Sequence, residues 1–259
     1  MNKSEVERYL REDAKELSIT VEPVVTSTNT LLYQEALAGK KEGSVLLANA
    51  QTAGRGRQGH TFYSPRDTGI YMSILLRPRK VAVQEAARIT SMAAVAVCEA
   101  IQEVTQKKAG IKWVNDVYME GRKVCGILTE ASQSAQTGYV DFVILGIGVN
   151  VHRPKEGFPK DIEEIAGTVL EENTEADNSQ LAAAILNHFM AYYNNWDDRG
   201  YVDSYRKNSL VLGKEVTVLF PEGEKQARAI AMDEECHLLV QYPDGKEEWL
   251  RSGEISIRL

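Results

Sequence analysis

Two arginines set among glycines, in Gly54-Arg55-Gly56-Arg57-Gln58-Gly59, are the chain's most distinctive chemical feature. Glycine lets a backbone come close to a ligand, and backbone N–H groups together with guanidinium forks hold anionic oxygens. The run satisfies the dinucleotide pattern GxGxxG literally, but its context does not. That pattern must open a helix inside a βαβ unit. Here His60-Thr61-Phe62-Tyr63-Ser64-Pro65 follows, and a strand comes after Pro65. The bland alternative is a solvated basic loop.

Four further groups could do chemistry. Lys112-Trp113-Val114-Asn115-Asp116 gathers a cation, an amide and a carboxylate on a predicted strand that leads into a hairpin. Such a set can serve a nucleotide and its Mg²⁺, with Asp116 as the metal's carboxylate; a plain strand edge is the competing reading. Lys123 opens a strand that otherwise reads as buried, so it either snorkels to water or faces a pocket as a fixed charge. Gly146-Ile147-Gly148-Val149-Asn150 places glycines inside a strand, where they mark a bulge or the close approach of a ligand. Ser27-Thr28-Asn29 starts a helix, where a hydroxyl caps the free N–H groups.

The elements that must position these groups follow from periodicity. Val6, Leu10, Ala14 and Leu17 have helical spacing, predicting a helix over 4–17. Strands are predicted over 19–25, 44–50 and 70–76, with a helix from Ser27 or Thr28 to Leu37, stopped at Gly39. The long segment 51–68 is a loop, and loops of that length in a compact domain are usually functional. An alanine-rich helix runs from Val83 to about Lys107. Residues 111–119 and 124–131 pair as a hairpin turning at Glu120-Gly121. A strand over 139–151 and a helix over 179–196 complete the larger part. After Val211 the texture changes to short alternating strands separated by turn pairs such as Glu222-Gly223 and Asp244-Gly245. That spacing predicts a small β-barrel. The fold class is α+β, a mixed sheet with helices packed on it, divided into 1–210 and 211–259.

In this order and at these spacings, STN, QTAGRGRQG followed by FYSP, KWVND, GRKVCGIL, GIGVN and a terminal GEISIRL resemble the biotin protein ligases. The resemblance covers the chain from about Ser27 to its end. It implies a catalytic domain related to that of class II aminoacyl-tRNA synthetases, followed by an SH3-like barrel. It also implies an activity: biotin is activated with ATP and Mg²⁺ as biotinyl-AMP, then passed to a lysine of a biotin carboxyl carrier domain.

The resemblance further implies residue roles. Ser27, Thr28 and Gln51 would bond the ureido ring of biotin. Gly54, Arg55, Arg57 and their neighbours would close over biotin and phosphate. Lys123 would lie between the biotin carboxylate and the α-phosphate, with Gly146 and Gly148 beside the biotin. Phe62, Lys112, Asn115, Asp116 and Asn150 would belong to the nucleotide side. Lys123, Arg57 and Asp116 would be the catalytic set. Three positions depart from the family's commoner pattern: Phe62 stands for a tryptophan, His60 for an arginine and Val114 for a proline. The alternatives are a non-catalytic biotin or nucleotide sensor on this fold and a lipoate–protein ligase.

Composition limits the rest. A net charge of -7 over 259 residues argues against nucleic acid as a partner. One helix before the first strand is not a helix-turn-helix, so ligation without repression is expected. Cys98, Cys125 and Cys236 are too scattered for a zinc site or a disulfide framework and are expected in the core. The polar N-terminus is not a signal peptide, and no apolar run reaches the length of a membrane helix. A cytoplasmic protein is therefore expected. The sequence leaves a homodimer open.

Overall fold

A computed structural model describes residues 1–170, 177–220 and 223–251, and the backbone of 254–256. The first strand, β1 (Ser18–Glu22), runs parallel to β2 (Ser44–Ala48), and every other neighbouring pair is antiparallel. With β3 (Gly69–Leu76), β4 (Gly110–Lys112), β5 (Asp116–Met119), β6 (Arg122–Gln133) and β7 (Val140–Asn150), they form a seven-stranded sheet. Its order is β1-β2-β3-β7-β6-β5-β4.

The two faces of this sheet are covered unequally, and the difference creates the site. One face buries Ile70, Met72, Ile74, Leu145, Ile147 and Ile127 beneath α3 (Ala87–Thr105) and α4 (Asn178–Asn194). α3 is buried nearly all round, as its alanine-rich sequence allows. On the other face the short α2 (Thr28–Leu37) sets Leu32 and Ala36 on Leu46, Leu75, Phe142 and Ile144. Beyond α2, the face continues as the cross-strand rows Ser73–Gly146–Leu128 and Tyr71–Gly148–Gly126–Asp116. Side chains alternate between faces along a strand, so these residues all point to the uncovered side.

Several expected elements take a different form. The predicted helix over 4–17 is α1 (Lys3–Arg8) and a 3-10 turn at Glu12–Ala14. The Asn187 side chain explains the break: its Nδ2 donates to Tyr9 O and its Oδ1 accepts from Arg11 N, claiming backbone groups a continuing helix would use. The predicted strand over 111–119 is interrupted, with Trp113–Asn115 turning between β4 and β5. Trp113 turns inward, its indole donating to Cys236 O at 2.9 Å. Asn115 exchanges bonds with the backbone of Ile127. The Trp113–Val114 peptide is cis. A helix the periodicity reading passed over, α5 (Gly200–Asn208), buries Tyr201, Val202 and Tyr205.

The C-terminal strands are β8 (Glu215–Phe220), β9 (Gly223–Met232), β10 (Leu238–Gln241), β11 (Glu247–Leu250) and β12 (Glu254–Ser256). They form an antiparallel sheet in the order β11-β10-β9-β8-β12, and no pairing of β11 with β12 closes it among the described residues. The expected barrel is seen as this sheet. The Asp244-Gly245 turn is present, with Gly245 at φ +85°. Glu222, Gly253 and 257–259 lie outside the described residues. All three cysteines are free and buried, and burial pushes the Cys98 and Cys236 thiols up to about 12. No helix among the described residues is long and apolar enough to cross a membrane.

One charged cluster ties α4 to α3. His188 Nε2 lies 2.8 Å from Glu103 Oε2 and its Nδ1 3.3 Å from Glu99 Oε2. Tyr192 also donates to Glu99, and Arg11 pairs with Glu103. Hydrogen bonding to Glu99 raises the His188 pKa above 6.5, more than burial lowers it. A raised folded-state pKa means the contribution is complete below the unfolded value and is lost as pH climbs through the folded one. His188→Gln is therefore expected to flatten the fall in melting temperature from pH 6.5 upward, with a cost of about 1 kcal/mol at lower pH. Parallel melting curves for both proteins across that range would remove the assignment.

Candidate functional site

The uncovered part of the sheet is a cavity of about 330 Å³, near the low end of the ~300–1,000 Å³ usual for small-molecule sites. The start of α2 forms one wall. Ser27 caps that helix, its Oγ accepting from Thr30 N. Thr28 donates to Gln51 Oε1 through its N–H at 2.8 Å and its hydroxyl at 3.2 Å. Gln51 in turn donates to Ser64 Oγ at 2.9 Å. Ser73, fully buried on β3, donates toward Thr28 Oγ1 and Asn29 Oδ1. Small polar groups are thus fixed before any ligand arrives, which lowers the ordering cost of binding.

The glycine-rich loop forms the roof. It folds as a narrow hairpin: Arg55 bridges Thr61, Gly56 N donates to His60 O at 2.7 Å, and Phe62 N donates to Gly54 O. Gly54 allows this closure, because a Cβ there would fall 2.3 Å from Phe62 O. At the tip, Arg57–Gly59 makes a 3-10 turn with Gln58 at φ 52°. Arg57 Nη1 reaches across to Asn115 Oδ1 at 2.8 Å.

The open side is a short polar chain. Asn115 Nδ2 donates to Asp116 Oδ1 at 3.1 Å, and the same oxygen lies 2.7 Å from Lys123 Nζ. The Lys123 backbone is pinned on both sides, its N–H donating to Ile165 O and its carbonyl accepting from Gly167 N. Lys112 Nζ stands 5.5 Å from the Tyr118 ring. Among the described residues, Arg55, Arg57, Lys112 and Lys123 line the cavity against one lining carboxylate, Asp116. In a chain of net charge -7, that concentration of cations marks a site for an anion.

Twelve of the fourteen expected site residues line this cavity: Ser27, Thr28, Gln51, Arg55, Arg57, Phe62, Lys112, Asn115, Asp116, Lys123, Gly146 and Gly148. Gly54 and Asn150 do not. Gly54 is held inside the hairpin, and Asn150 ends β7 opposite Gly69, its carbonyl taken by Val169 N. The glycine reading changes its reason. Protein side chains lie over both strand glycines: a Cβ on Gly146 would fall 2.2 Å from Asn29 Oδ1, and one on Gly148 2.7 Å from Phe62. Asn29, read only as part of a helix start, lines the cavity too, as do Tyr71 and Gly126, which were not singled out. The signal of these last two was the cross-strand row, which needs the register of three strands.

Gly146→Ala tests this packing. Asn29 is buried and bonded at both ends of its amide, so it cannot yield cheaply. Overpacking of this kind costs about 1–3 kcal/mol. The expected result is a melting temperature lower by roughly 3–10 °C. A variant that melts with the wild type would show that Asn29 is not held.

Comparison with known proteins identifies the family. A family model described as the biotin/lipoate A/B protein ligase family matches residues 21–150, and one described as the biotin protein ligase C terminal domain matches 211–258. The bifunctional ligase/repressor BirA of Bacillus spizizenii is 30% identical over 249 residues, 95% of this chain and 76% of that protein. The biotin–[acetyl-CoA-carboxylase] ligase of Mycobacterium tuberculosis is 32% identical over 205 residues, 76% of this chain and 73% of that one. The structure of biotin protein ligase from Aquifex aeolicus in complex with biotin and ATP superposes with a TM-score of 0.77 at 27% identity, covering 93% of this chain and 98% of that one. The chain belongs to the biotin/lipoate A/B protein ligase family, among its biotin protein ligases.

Proposed function

We propose that this enzyme joins biotin to ATP as biotinyl-AMP, releasing pyrophosphate, and transfers the biotin to a lysine of a biotin carboxyl carrier domain. The observation that carries the reading is the polar chain Arg57–Asn115–Asp116–Lys123 at the open side of a cavity whose other wall is lined by small neutral polar groups. A ligand with a neutral polar head and an acid tail fits that gradient.

The residues divide the work accordingly. Ser27, Thr28 and Gln51 take the ureido head, Gly148 lies beneath the bicycle, and Gly146 beside it makes room for Asn29 at the edge of that subsite. For biotin to lie there, Phe62 must turn from the strand towards the nucleotide. In the first step the biotin carboxylate attacks the α-phosphorus and pyrophosphate leaves. Two anions must meet, so the task is charge neutralisation and alignment. Lys123 and Arg57 supply the charge, and Asp116 holds the Lys123 ammonium in place. Lys112 and Asn115 face the nucleotide. The hairpin 54–62 shields the mixed anhydride from water. In the second step the neutral amine of the acceptor lysine attacks the carbonyl and AMP leaves.

Mg²⁺ uses one or two carboxylates plus phosphate oxygens. Among the described residues the lining offers Asp116 alone, with one oxygen already bonded to Lys123 and Asn115. That donor set fits an ion arriving with the nucleotide's phosphates, not a resident one.

The C-terminal unit is read as an SH3-like barrel, with the division at 210/211. Ligation is the activity assigned, and repression is not, since a net charge of -7 offers nucleic acid no basic footprint. Incubation with labelled biotin, ATP and a biotin carboxyl carrier domain tests the reading. Biotin-dependent pyrophosphate release and a labelled carrier are expected. Label from lipoate in preference to biotin would overturn it.

A further inference from the structure

Glu130 lies outside the cavity lining, yet it holds two residues that belong to it. It stands on β6 in a cross-strand row with Leu75 and Ile144, both fully buried. An acid beside such neighbours needs partners. Arg55 supplies two parallel bonds, Nη2 to Oε1 at 2.9 Å and Nη1 to Oε2 at 3.1 Å. Asn29 Nδ2 supplies a third, to Oε2 at 2.9 Å. Asn29 is the second residue of α2, next to Thr28, and shares the buried Ser73 hydroxyl with it.

We propose that Glu130 is the latch of the glycine-rich loop: it closes the roof by gripping Arg55 and couples that closure to the helix start that receives the ligand's head. It is a positioning residue, acting through Arg55 and Asn29. Exposed ion pairs with a single contact hold little. This one differs because the carboxylate is already fixed by Asn29, and the planar guanidinium meets it with both prongs. Two side-chain ties of the roof lie among the described residues, Arg55 to Glu130 near its base and Arg57 to Asn115 at its tip. Losing the first leaves the hairpin hinged on the second. A ligand that fixes Thr28 and Asn29 also fixes the carboxylate that Arg55 needs, so filling the head subsite strengthens closure. The coupling to ligand rests on the biotin reading above, while the latch itself rests on geometry alone.

The test uses the full chain. Glu130→Gln preserves shape and the bond from Asn29 but removes the ion pair. Arg55→Gln breaks the same pair from its more exposed end, where the side chain is 47% exposed and the fold is not at risk. Both are expected to speed tryptic cleavage at Arg57, without ligand, by about 3- to 10-fold. Both should raise the KM for biotin by a similar factor, and Glu130→Gln should change kcat for pyrophosphate release by less than about twofold. The charge swap Arg55→Glu with Glu130→Arg should bring cleavage at Arg57 back toward the wild-type rate, which a purely structural role for either residue would not do. Cleavage at Arg57 in both single variants at the wild-type rate would overturn the latch, as would a swap no better protected than the singles. If the wild type released no pyrophosphate with biotin, the function would fall, while the cleavage comparison would still decide the latch.

Discussion

Lys123→Ala is expected to leave the fold intact and to slow biotin-dependent pyrophosphate release by ~10–100-fold or more. The side chain is 30% exposed, and the strand around it is held by backbone bonds to Ile165 and Gly167, so little packing is lost. What is lost is the ammonium 2.7 Å from Asp116 at the open side of the cavity. A charge-assisted contact is worth ~1.5–3 kcal/mol, and one that strengthens as charge builds on the α-phosphate is worth at least that in the barrier. A second effect adds to it. Asp116 loses its cation and becomes a bare negative charge facing incoming phosphates. Lys123→Ala with Asp116→Asn should therefore recover part of the loss, since the repulsion is gone although the cation is still missing. A folded Lys123→Ala enzyme with the normal rate of pyrophosphate release would refute the assignment.

Much of this site was legible because its residues break local rules. Arginines among glycines do not stabilise a loop, a lysine does not favour a buried strand, and glycines weaken one. Each such violation points to a job done in three dimensions. The helix cap at Ser27 was equally plain, because capping is a local bond. Features that depend on a distant partner were hidden. The helix over 4–17 kept its periodicity, and Asn187, far along the chain, ended it by taking the Tyr9 and Arg11 backbone groups. KWVND read as continuous strand, while the Trp113 indole, drawn to Cys236 in the C-terminal unit, turned it into a bend. Glu130 sits in a sequence, Leu128-Thr129-Glu130-Ala131, that reads as an ordinary strand running to the surface. Only the register of β6 against β7 and β3 reveals that it shares a row with buried apolar residues and meets Arg55. Asn150 stands apart from the lining for the opposite reason. A polar residue at a strand end after two glycines looks poised for a ligand, yet its carbonyl serves Val169 and it stands outside the cavity.

Arg57→Gly is expected to give an enzyme that still makes the adenylate but loses it at least ~10-fold faster, the scale of one charge-assisted bond removed from the closed state. The sequence reads 51–68 as a long loop, and the structure shows within it a hairpin bonded to itself and tied at its tip by Arg57 to Asn115. That tie links the roof to Asp116 and Lys123 through one amide, so the tip is held by the groups to which the proposed chemistry is assigned. Replacing Arg57 with glycine cuts the tie and adds backbone freedom beside Gly56 and Gln58. Lys123, Asp116 and the α2 wall stay in place, so the first step continues, slowed by the loss of one cation, while the barrier to release falls. Biotinyl-AMP that escapes is a reactive anhydride, and it should acylate lysines on proteins with no carrier fold. Two measurements decide the matter. Labelled adenylate separated from the enzyme on a desalting column should leave the variant faster than the wild type. In a mixture containing serum albumin as bystander, label should move from the carrier onto the albumin. A variant that retains its intermediate as tightly as the wild type, with the albumin unlabelled, would show that Arg57 is not what holds the roof down.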